Sequence, residues 1–160
     1  MYRNNHGFTF IEMIVVLVLM SIIAASVLVR GMDTDQIDLM AQAAKIRNHI
    51  RYAQAMAMKR SDKNWGIKCD GNAYWFFEGT NPDDSASQLP LPGEKSSQIL
   101  LADIDVTMDG FTLLFDGYGI PYKDNLSTKV DDSSNPLAIT ISAGSGSVTL
   151  SITPETGLIQ

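Results

Sequence analysis

The chain changes its hydrophobic rhythm twice. From Met13 to Val29 there is no charged residue, and the polar positions are Ser21 and Ser26. Counted from Phe8 to Val29, the apolar run is 22 residues long. At about 1.5 Å rise per residue that is roughly 33 Å of helix, enough to cross the hydrocarbon core of a bilayer. Length therefore favours a transmembrane anchor over a buried core helix. A polar stretch follows, RGMDTD at 30–35, and then helical periodicity resumes. Leu39, Ala43, Ile46, Ile50, Ala53 and Ala57 recur at alternating spacings of four and three, which puts them on one stripe of an amphipathic helix. The stripe is short and Ala-rich, which fits packing on the protein's own sheet better than a coiled coil. Joined, the two segments predict a helix from about Phe8 to Lys59, with Gly31 as the place where it would bend or melt. Arg47, His49, Arg51 and Lys59 fall off the stripe and are expected in solvent.

After Arg60 the period drops to two. Trp65–Cys69 and Asn72–Glu78 flank Asp70-Gly71, a hairpin signal because the turn needs a positive φ. Residues 79–97 are rich in Pro, Ser and Asp and read as a long exposed loop. Gln98–Met108 and Phe111–Asp116 flank a second Asp-Gly pair, 109–110, read as another hairpin. Residues 117–136 read as irregular. Leu137–Ser142 and Ser147–Thr153 flank a Gly/Ser turn, and Gly157–Gln160 forms a short last strand. The expected fold class is α+β: a long N-terminal helix packed on an antiparallel sheet head, or on two sheets.

Glu12 stands at the start of the greasy run, and two readings remain open. A carboxylate suits the positive end of a helix in its first turn. Alternatively it awaits a partner charge. A secretory signal places its small-residue cleavage site after the apolar stretch; here the small residue, Gly7, comes before it. A cut after Gly7 would free an amine on Phe8. That amine, or a neighbouring copy's, would lie within reach of Glu12 and fix axial register in a low-dielectric setting.

The composition narrows the alternatives. With 12 Lys+Arg against 18 Asp+Glu the net charge is −6, so no nucleic-acid partner is expected. Cys69 is the sole cysteine and has no histidine near it in sequence, which reads as a core thiol, not a nucleophile. His6 and His49 do not form a metal pair. Asp83-Asp84 and Asp131-Asp132 lack EF-hand spacing. Gly144 and Gly146 sit in a turn, without the strand–loop–helix context of a phosphate loop. No catalytic residue, metal site or cofactor is expected. The basic residues between 45 and 68 read as a solvated helix face.

The stretch Gly7-Phe8-Thr9-Phe10-Ile11-Glu12 ahead of the apolar run resembles the class III signal of type IV pilins and pseudopilins. The resemblance implies that a prepilin peptidase cuts after Gly7 and methylates Phe8, and that Glu12 pairs with a neighbour's N-terminus during assembly. It implies a leader at 1–7, a transmembrane segment at 8–29, an amphipathic segment at 30–60 and a periplasmic β-rich head at 61–160. Losing the leader removes Arg3 and leaves 11 basic and 18 acidic side chains. Farther on, "FDGYGIPY" at 115–122, "LAITIS" at 137–142 and "VTLSITPETGLIQ" at 148–160 are similar to the C-terminal pattern of GspH/FimT-type minor pseudopilins and pilins. The implied protein is a non-enzymatic subunit of a type II secretion pseudopilus, single-pass in a bacterial inner membrane. Its implied partners are other pilin subunits, the prepilin peptidase, an inner-membrane assembly platform and lipid. The alternative is a minor type IV or MSHA-like pilin acting in adhesion, motility or DNA uptake. DNA-binding relatives use a basic C-terminal tail, whereas residues 142–160 contain no Lys or Arg.

Overall fold

The computed structural model describes residues 9–124, 126–131 and 137–160; within 26–35 it describes the helical backbone alone. One helix, α1 (Phe10–Lys59), runs 50 residues and stays helical through Gly31. The expected interruption is absent there: one glycine costs only about 1 kcal/mol inside a helix, and the long flanking segments carry it.

Nine strands are present among the described residues: β1 (Trp65–Cys69), β2 (Ala73–Glu78), β3 (Gln88–Leu89), β4 (Gln98–Leu100), β5 (Thr107–Met108), β6 (Phe111–Phe115), β7 (Pro121–Lys123), β8 (Leu137–Ala143) and β9 (Gly146–Ile152). They form two antiparallel sheets. The larger has the order β3-β2-β1-β6-β7, with β4 also pairing to β2; the smaller is β5-β8-β9. The fold class is thus α+β, a helix on two antiparallel sheets.

Every residue of the stripe from Leu39 to Ala57 is buried. The stripe packs on β1 and β6 of the large sheet and on β8 and β9 of the small one. Its alanines let the helix backbone lie close to both. Opposite it stand Trp65, Ile67 and Cys69 of β1, Tyr74 and Phe76 of β2, Leu113 and Phe115 of β6, and the inward residues of β8 and β9. Trp65 stacks on Phe76 at 5.4 Å between ring centres. The outer face of the large sheet has its own small core of Ala73, Trp75, Phe77 and Leu114. Trp75 Nε1 there donates to the carbonyl of Pro82 at 2.7 Å, so the loop after β2 covers that face.

The β1–β2 hairpin turns where Asp70-Gly71 predicts. Gly71 has φ +93°, and Asp70 Oδ1 accepts the backbone N–H groups of Asn72 and Ala73. Those donors hold the Asp70 carboxyl below its ordinary range.

Other expectations need correction. Asp109-Gly110 makes no hairpin. β5 pairs with β8 in the small sheet and β6 with β1 in the large one, so the pair carries the chain from one sheet to the other. The expected strand Gln98–Met108 breaks into β4, a 3-10 turn at Leu101–Ile104 and β5. Asp105, at φ +51°, ends that turn. The expected loop 79–97 holds β3 and buries Leu91, and the stretch read as irregular holds β7. The last residues add a bridge, not a strand, Ile152 to Ile159.

Candidate functional site: the N-terminal helix and its head

Gly7 and Phe8 lie outside the described residues, as does His6. Glu12 is described. Thr9 is the N-cap of α1, in extended conformation, and Glu12 is the third helical residue. Glu12 N–H donates to Thr9 Oγ1 at 3.4 Å, and Thr9 N–H donates to Glu12 Oε2 at 3.5 Å. This is a reciprocal capping box, stretched to the limit of hydrogen bonding. The first-turn role of Glu12 is therefore visible, and its carboxylate is exposed and only loosely held.

Beyond it, the helix from Phe10 to Ala25 touches nothing in the head: each of these residues is exposed. Phe10 is 83% accessible and Leu17 67%. Ser21 turns its hydroxyl back to the Val18 carbonyl at 2.7 Å, which satisfies it without water. Burying a side chain such as Leu or Ile stabilises by about 1.5–3 kcal/mol. A projecting rod of such residues requires cover from outside its own head. Among the described residues no helix is long and apolar enough to cross a membrane; the expected segment 8–29 reaches beyond the described side chains at both ends.

The basic residues from 45 to 68 do not form one free face. Lys45 pairs with Glu94 at 2.6 Å, Lys63 with Glu78 at 2.8 Å and Lys68 with Asp83 at 2.6 Å. Arg51 Nη2 donates to the Ile159 carbonyl at 3.2 Å. Arg47 is half-buried; its Nε has no hydrogen-bond partner. Lys59 is exposed as expected.

His49, expected in solvent, is buried at 5% accessibility. It sits three residues after Ile46 and four before Ala53, on the flank of the stripe. The Tyr74 hydroxyl supplies the partner that makes burial tolerable, sharing a hydrogen bond with Nδ1 at 3.0 Å. Nε2 lies 4.0 Å from Glu94, which Lys45 already neutralises. Burial pushes the His49 imidazole below its ordinary pKa, against the pull of Glu94. Cys69 is buried, and burial raises its thiol. It is a core residue, as the sequence indicates.

Gln54, unremarked in the sequence, joins the segments that carried the C-terminal resemblance. Its Nε2 donates to the Gly119 carbonyl at 2.9 Å and to the Thr156 carbonyl at 2.7 Å. Gly119 and Gly157 both have positive φ, +80° and +62°. A Cβ on Gly157 would come within 2.6 Å of Gln54 Nε2 and 2.8 Å of the Gly119 oxygen. The "FDGYG" turn, the "PETGL" turn and the last helical turns thus meet at one side chain. A polar residue beside an apolar stripe, with glycine turns far away in sequence, was the available signal.

Residues 2–28 match the family described as the prokaryotic N-terminal methylation motif, the signal of type IV pilins and pseudopilins. No curated protein and no solved structure matches the chain. The chain thus carries, ahead of a helix packed on two antiparallel sheets, the N-terminal methylation motif found in type IV pilin-like precursors, and to that extent it is similar to them.

Proposed function

We propose that this protein is a minor pseudopilin of the GspH/FimT type, a structural subunit of a type II secretion pseudopilus. The observation that carries the reading is the uncovered apolar rod, Phe10–Ala25, with a single carboxylate in its first turn. In this reading residues 1–7 are the leader, prepilin peptidase cuts after Gly7, and Phe8 becomes the methylated N-terminus. The rod, 8–29, spans the inner membrane once and holds the head on the periplasmic side. On extraction by the assembly platform, rods of neighbouring subunits replace lipid around it. Glu12 exchanges its loose bond to Thr9 for a neighbour's amine, and that ion pair in a low-dielectric core selects register. The convergence of the two C-terminal glycine turns on Gln54 supports the subgroup, since it gives that pattern a structural purpose.

Intact mass of the membrane-extracted protein tests processing. The expected mass lacks residues 1–7 and carries one methyl group, and Gly7→Ala should leave the leader in place. Glu12→Val should insert normally and fail to enter sheared filaments. Full incorporation of Glu12→Val would refute the assembly role. Deleting the gene should block release of type II substrates; loss of surface pili with secretion intact would assign the protein to a pilus instead.

A further inference from the structure

Where α1 ends, the head carries an uncovered apolar patch. Tyr118 is 86% accessible, Met58 58% and Leu158 50%. The turns that carry Tyr118 and Leu158 adjoin one another and Met58. A Cβ on Gly119 would lie 3.0 Å from Met58 Sδ, one on Gly117 2.7 Å from Ser61, and the Gly157 turn abuts Gly119. Lys59 and Arg60 border the patch, exposed, with no ion pair among the described residues. Asp62 is exposed at the same end; Lys63 there is matched by Glu78, and Glu155 lies 4.0 Å from Lys129.

The opposite end of the head is its complement. Where α1 enters the head, a groove of about 520 Å³ opens between the helix, the 3-10 turn and the β8–β9 turn. Asp38, Asp103 and Asp105 line it, its apolar wall includes Ile104 and Val106, and among the described residues no lysine or arginine lines it. Gln42 also faces it, with a buried Oε1 that has no hydrogen-bond partner.

We propose that the patch at Met58, Tyr118 and Leu158 docks on a second copy of this chain, with Lys59 and Arg60 entering that copy's Asp38–Asp103–Asp105 groove. Charge complementarity selects the occupant: the cationic, apolar end and the acidic, apolar-walled end belong to the same molecule. From Asp38 to Arg60 the helix climbs about 33 Å. Stacked along the helix axis, two copies meet through different surfaces, a heterologous contact that leaves one end of each pair open. The inference rests on the pilin-like subunit reading and adds to it a contact made by the heads, independent of Glu12.

The test uses two full-length proteins in detergent, one bearing Asp62→Cys and the other Ala102→Cys, both at exposed positions beside the two surfaces. Oxidation of the mixture should give the mixed dimer, with little of either like-with-like dimer. Lys59→Glu with Arg60→Glu should lower the yield about tenfold. Asp103→Lys with Asp105→Lys in the second protein should restore it, which shows that the charge-reversed protein is folded. A yield unmoved by charge reversal, or like-with-like dimers in excess, overturns the docking. Running the same cross-link on Glu12→Val separates the two claims. Retained cross-linking with lost filaments supports both. Filaments that survive Glu12→Val refute the assembly role and leave the head contact to its own result.

Discussion

Gln54→Ala is the most informative single change in the head. The amide donates to two carbonyls, and their surroundings differ. Gly119 is buried, so its oxygen would be left without water or partner, at about 1–3 kcal/mol. Thr156 is exposed, and water would take over its carbonyl at about 0.5 kcal/mol. Removing the half-buried methylene stem adds about 0.5 kcal/mol. The expected loss is about 2–4 kcal/mol. Urea unfolding of the full-length protein in detergent, followed by the fluorescence of Trp65 and Trp75, measures it. Both indoles are buried in the head and should report its unfolding. Gln54→Glu should lose more at pH 7.5, because a carboxylate would face two carbonyl oxygens and donate nothing. A loss below about 0.5 kcal/mol for Gln54→Ala would refute the idea that this side chain fastens the two glycine turns to the helix.

Two further changes follow from the same packing. His49 is held below its ordinary pKa of 6.5 in the fold, so the unfolded chain takes up its proton first. Stability is therefore level above about pH 7 and falls as the pH drops through 6.5 toward the folded value, by no more than about 1.4 kcal/mol per pH unit. The groups facing it are the Tyr74 hydroxyl, Glu94, Lys45 and the Pro92 carbonyl. His49→Asn, which keeps a polar atom near the Tyr74 hydroxyl, should flatten the curve between pH 5 and 7, and an unchanged slope would count against it. Gly66→Ala should cost about 2–3 kcal/mol, since its Cβ would meet the Leu113 carbonyl oxygen at 2.5 Å and the Phe77 ring at 2.8 Å; a melting curve like that of the unmodified protein would show that the β1–β6 pair can spread.

The helix was legible because its signal is local and periodic. Six apolar residues at three-and-four spacing define one face, and all six are buried. Asp70-Gly71 was legible for a similar reason, the turn and its two strands being neighbours in sequence. Asp109-Gly110 shows the limit. The dipeptide allows a reversal of the chain, and whether the strands on either side pair with each other depends on β1 and β8, some forty residues back and thirty ahead. Such pairings are long-range and leave no periodic trace. His49 departs from the expected exposure because a stripe has a width. A residue at its edge is buried when a distant strand supplies a hydroxyl, and Tyr74 does so. At the N-terminal motif, Glu12 was found from its neighbours in sequence, and its capping contact with Thr9 is as local as the motif itself.

The stripe from Leu39 to Ala57 lies along the axis of α1, and the same helix continues downward as the rod. A tug on the rod therefore loads these interlocked side chains together, in shear, instead of peeling them apart one by one. A subunit hauled from below can then carry its head along as cargo, and the joint gives way only when most of that interface slides at once.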